Sequence, residues 1–158
     1  MTTKTKTTKK ILSVHIVQDV DMDPDFSHLG DYHSDYREGA IDRKERGDMD
    51  RNSHRYFSPA MTADETGNPN SPEQDYQRME NYNRGIWCFI GIHVEAKIQL
   101  INTIQTISSG GLWGIESDSD RTYFDQVRKE ELSQLSIELK AIGFTKKQID
   151  TAFRDIDE

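Results

Sequence analysis

From Ile11 onward, apolar and polar residues alternate, with Leu12, Val14 and Ile16 on one side and Ser13 and His15 on the other. Period two predicts a strand. The same period is clearest in IWCFIGIHVEAKI, where Ile86, Cys88, Ile90, Ile92, Val94, Ala96 and Ile98 take alternate places. One face of this second strand is core, so Cys88 reads as a small buried apolar residue. The other face begins with Trp87 and Phe89 and ends with Glu95 and Lys97. TIQTIS follows just past Asn102 and is expected to return as an antiparallel partner.

Elsewhere the period is helical. SPEQDYQRMENYNRG begins with Ser71 as N-cap, Pro72 at the first helical position and Gln74 where a capping box wants it, and Gly85 suits the end. Its apolar face, Tyr76 and Met79 with Tyr82 or Asn83, is thin, which predicts a superficial helix. In the last third, Phe124, Val127, Leu132, Leu135, Leu139 and Ile142 form one stripe, interrupted by Arg128 and Glu131 as an i,i+3 pair. Gly143 and Phe144 predict a Schellman ending, and Thr145 with Gln148 a capping box for a short final helix.

Between these patterns lies a stretch with no period. Residues 21–70 are rich in Asp, Gly, Asn, Ser and Arg, punctuated by isolated aromatics such as Tyr32 and Phe57. This reads as a long polar loop segment, partly ordered, laid over the domain. The expectation is therefore one α+β domain over residues 1–158. A small antiparallel sheet of three or more strands packs on C-terminal helices, a long irregular polar segment intervenes, and a disordered basic tail covers residues 1–10.

Composition narrows the role. Net charge is -8 and only 34% of residues are hydrophobic, so direct nucleic-acid and anionic-membrane binding are disfavoured while a basic protein is attracted. There is no apolar run of membrane-spanning length. The lysine-bearing N-terminus lacks the apolar stretch and cleavage site of a signal peptide, and Cys88 is the only cysteine, so a cytoplasmic setting is expected.

The stretch SSGGLWGIESDSDR concentrates glycines, a tryptophan and acids. It lacks the Lys and Ser/Thr of a phosphate loop, and its acids would repel phosphate. Ser117, Asp118 or Ser119 suits the N-cap of the following helix, with Asp120 near its first turn. Glu116, Asp118 and Asp120 form the weak alternative, a cation site. The series Asp19, Asp21, Asp23, Asp25 lacks the glycine and glutamate of an EF-hand loop, and His28 and His33 lack partners at metal-ligand spacing. No nucleophile–base pair, cofactor box or catalytic motif is present, so no catalytic residue and no cofactor is assigned. Trp113 is either core or a displayed anchor, and Gly110 and Gly111 beside it let another backbone approach. Acids outnumber bases from Asp19 to Asp50, so Asp21, Asp23 and Asp25 join Trp113, Gly110 and Gly111 as interaction candidates.

Three blocks, GAIDRKERGDMDRNSHRYFSP, EQDYQRMENYNRGIWCFIGIHVEAKI and TIQTISSGGLWGIESDSD, resemble a family of small proteins carried by bacteriophages, plasmids and other mobile elements. The resemblance covers roughly Asp23 to Phe144 and brings no activity, cofactor or site residue with it. It implies an accessory protein of a mobile element, working in a bacterial cell on a host protein. Inhibition of a nucleic-acid-binding or defence protein and regulation of host machinery both fit. A metal-dependent hydrolase or nuclease using the acidic clusters is the other class left open.

Overall fold

The structure, a computed structural model, describes residues 9–48 and 54–156. It is an α+β protein with two antiparallel sheets. Contacts gather into two compact units, Met1–Asp21 with Phe89–Glu158, and Met22–Cys88. The basic tail expected over residues 1–10 lies outside the described residues as far as residue 8. Lys9 and Lys10 already belong to a strand.

The first unit is built on two twelve-residue strands, β1 (Lys9–Val20) and β5 (Phe89–Leu100), paired antiparallel over their whole length. β5 is the centre. On its other side lie β6 (Thr103–Ser108) and β7 (Leu112–Glu116), while the outer edge of β1 has no partner strand among the described residues. Two helices, α4 (Arg121–Ala141) and α5 (Lys146–Arg154), carry the core stripe. Val14, Val94, Ala96, Ile98, Leu135, Leu139, Phe144 and Ile149 form one apolar cluster. Ile90 and Ile92 are equally buried but lie outside that cluster.

Local signals place these helices well. Asp120, not Ser117 to Ser119, is the N-cap of α4, its carboxylate accepting from the Tyr123 amide. The helix ends as the Gly143–Phe144 pattern predicts, with the Phe144 amide donating to the Leu139 carbonyl. The Thr145–Gln148 capping box is formed.

Two strand expectations need correction. A β-bulge between Ile11 and Ser13 shifts the phase of β1, so Ile11 rather than Leu12 faces Ile98 in the core register. Leu12 is left 38% exposed. Strand β5 begins at Phe89, not Ile86. Ile86 sits in a turn and is 66% exposed, and Cys88 is half-buried outside the strand rather than on its core face. The period-two pattern runs back through residues whose backbone has already left the sheet.

In the second unit, the segment expected as a partly ordered polar loop carries short regular elements. β2 (Gly30–His33), β3 (Ile41–Asp42) and β4 (Tyr56–Pro59) form a sheet in the order β2-β4-β3. The single-turn helices α1 (Arg43–Arg46) and α2 (Ala63–Thr66) and the longer α3 (Ser71–Asn83) complete it. α3 is not superficial: Tyr76, Met79 and Glu80 are all buried, with Phe57 and Trp87 also in the interior. Asn70, not Ser71, is its N-cap, without a side-chain bond, and Ser71 is buried. Glu80 forms a 2.9 Å ion pair with Arg43, which is 0% exposed. The Arg43 guanidinium also donates to the backbone carbonyls of His54 and Asp48 and lies over the Tyr32 ring. The Tyr32 hydroxyl donates to Glu80 and accepts from Asn83.

Candidate functional site

The glycine-rich stretch lies within one edge of the sheet. β6 and β7 both run along the same side of β5, antiparallel to it, so the segment between them is a break in one edge strand. Glu95 pairs with Ser108 and Ile92 with Leu112, so three residues of the edge strand face two of β5. The surplus is a bulge. Ser109 repairs the ladder: its amide donates to the Val94 carbonyl, and its buried hydroxyl accepts from the Val94 amide. Gly111, with φ +80, bends the chain, and its amide is held at 2.9 Å by the Glu131 carboxylate of α4. Glu131 is thus a clamp on the bulge and not the partner of Arg128, which pairs with Asp125 instead.

A second irregularity follows one step on, where Trp113 and Gly114 oppose Gly91 alone. The consequence is a seat for the indole. A Cβ at Gly91 would lie 2.3 Å from the Trp113 ring, so only glycine lets the ring approach the sheet this closely. The ring lies on the face of β5 opposite Ile90 and Ile92, away from the helices, and stacks near-parallel to His93 at 6.3 Å between centroids. Trp113 remains 47% exposed. Asp21 reaches the same place, accepting from the Gly114 amide at 3.1 Å while its own amide donates to Phe89. His93 has its Nε2 3.4 Å from a Glu95 carboxylate oxygen, and its buried Nδ1 makes no hydrogen bond. Leaving such an atom unsatisfied costs on the order of 1–3 kcal/mol.

The structure therefore gathers Trp113, Gly111 and Asp21, three of the interaction candidates, and adds Gly91, His93, Glu95 and Glu131, which sequence patterns did not single out as site residues. Gly110 lies in the same break but makes no close approach at its Cβ position. Asp23 and Asp25 belong to the second unit. There Asp25 accepts from the Ser27 amide, which holds its carboxyl below the usual carboxylate range.

Several acids of the second unit are held in structural contacts. Asp42 caps α1 and is bonded by Arg55, which lowers its pKa, and Asp48 accepts from Tyr76 and Arg84. His33 is buried, with one ring nitrogen on the Asp35 carbonyl and the other on the Ser58 hydroxyl, a structural role. Among the described residues no group of three or more His, Cys, Asp or Glu side chains is placed to hold a metal ion. Glu116, Asp118 and Asp120 accordingly do not converge, and Asp120 is spent on its helix cap.

Across the described residues no helix is long and apolar enough to cross a membrane. No family model, no curated protein and no solved structure matches the chain. The site is defined by its own geometry.

Proposed function

We propose that this chain is a non-enzymatic binding protein that captures a basic partner protein on the Trp113 platform. The observation that carries the reading is the seat at Gly91. A tryptophan needed only for packing would be covered on both faces. Here the sheet gives up a side chain so that the ring lies fixed against it, while Trp113 stays 47% exposed. A rigid, partly exposed aromatic is the residue type that anchors interfaces. The Asp21 carboxylate is held at the neighbouring Gly114 amide and Glu95 at the ring of His93, and an indole with acids nearby suits a partner's Lys or Arg side chain through cation–π and charge together. Net charge -8 adds long-range attraction of the same sign.

In the context implied by the mobile-element resemblance, the partner is a bacterial host protein, and occupation of its basic surface would inhibit or redirect it. An arginine-rich peptide serves as the probe. In a Trp87→Phe background it should quench the remaining tryptophan fluorescence, and added salt should weaken the effect. Trp113→Ala should abolish binding by calorimetry with little change in the melt. Binding unaltered by Trp113→Ala would remove the platform from the mechanism.

A further inference from the structure

The outer edge of β1 is the longest unpaired strand edge in the described sheet, twelve residues whose centre, Ser13–Val17, holds no carboxylate, lysine, arginine or proline. Edge strands are usually protected by charges or prolines along their middle. β1 carries its charges at its ends: exposed Lys10 near the start and exposed Asp19 near the finish.

We infer that β1 pairs with β1 of a second copy of this chain, in antiparallel register, joining two four-stranded sheets across a two-fold axis. Charge selects this occupant. A strand that is basic at one end and acidic at the other complements itself when reversed. With His15 opposite His15 of the second copy and the bulged Leu12 passed over, Val14 meets Ile16 on the helix side. Lys10 then meets Asp19 on the open side, twice by symmetry. The bulge is what makes the faces agree: Lys10 and Asp19 both lie on the side away from the core, although their separation is odd.

The helix layer has a matching vacancy. α5 flanks the first half of β1, leaving a groove of about 690 Å³ lined by Leu12, Val14, Gln148 and Ala152. The second half is bordered by a groove of about 370 Å³ between Ile16, Gln18 and α4. Reversal brings α5 of each copy to the level of the other copy's second groove.

Light scattering after size exclusion should give twice the 18.3 kDa mass of the 158-residue chain. Lys10→Asp and Asp19→Lys, each alone, place like charges in contact twice and should raise the dissociation constant roughly tenfold. The double variant restores both pairs and should dimerise like the parent. These side chains are exposed, so melting at high dilution should be unchanged in all three. A monomer at every concentration overturns the inference. So does a dimer indifferent to the single changes, or one that the double change fails to restore.

Discussion

The two units fill their interiors in different ways. The sheet-and-helix unit does so with Val, Ile, Leu and Phe side chains, and the inserted unit with Phe57, Tyr76, Met79 and Trp87 wrapped around the Arg43–Glu80 ion pair. In the first, any apolar residue of suitable size contributes by leaving water. In the second, the interior is stable only while every polar member finds its partner, because a single loss leaves a charge uncompensated in a dry site. Short strands, two single-turn helices and few aliphatic side chains give the inserted unit little else to rely on.

The sharpest way to break the comparison is to remove one charge. Arg43→Ala should cost about 3–5 kcal/mol and release the amides of the inserted unit to hydrogen exchange. Leu135→Ala should cost about 2–5 kcal/mol, with its loss confined to the sheet-and-helix unit. Equal exchange in both units for both variants would show that the interiors are not separate cooperative entities.

A smaller effect comes from alkali. Burial and the neighbouring carboxylates of Glu80 and Asp48 push the Tyr32 and Tyr76 hydroxyls above their ordinary value of 10.0. Raised folded values favour the protonated form, so this stabilisation is complete below pH 10 and is lost as the pH climbs beyond it. Trp87, which packs against Tyr82 and Arg78 in the inserted unit, should report that loss by fluorescence in a Trp113→Phe background. An alkaline transition unchanged by Tyr32→Phe and Tyr76→Phe together would refute the assignment.

The smallest change expected is a gain. Ile101 opens the two-residue connection between β5 and β6 with φ +57, a left-handed value poorly suited to a β-branched residue. Ile101→Gly should raise the midpoint of denaturation of the sheet-and-helix unit by about 1 kcal/mol equivalent, leaving the inserted unit untouched. No gain would mean that the turn tolerates its isoleucine.

The same contrast explains what could be read from the chain. Alternation in β1 and β5, the α4 stripe and the Thr145 capping box all predict observed elements, because apolar spacing reports directly on which side faces the core. The bulge at Leu12 was hidden, since a register slip depends on the partner strand and leaves no trace in local period. Residues 21–70 read as a partly ordered loop, and α3 as superficial, because Arg43 and Glu80 are residue types that normally face water. The signal that was present lies in α3, where Tyr76, Met79, Glu80 and Asn83 recur at helical spacing and Glu80 interrupts an otherwise plausible buried face. At the site, Trp113 and Gly111 stood out by composition. Gly91 did not, because a glycine inside a strand announces a close approach without naming what approaches.

One feature of topology bears on how the chain reaches this state. β1 and β5 are hairpin partners, and the amide of Asp21 is bonded to Phe89 at the mouth of the pair. The loop of that hairpin is the whole of Met22–Cys88. Closing it as a flexible chain costs about 0.6 kcal/mol more for each doubling of length over a tight turn. Order within the loop shortens the effective contour that must be closed, so compaction of the inserted unit ahead of β1–β5 zippering lowers the entropic barrier. An aliphatic core thus becomes kinetically dependent on a polar one, and a lesion at Arg43 should slow the refolding of strands that it does not stabilise.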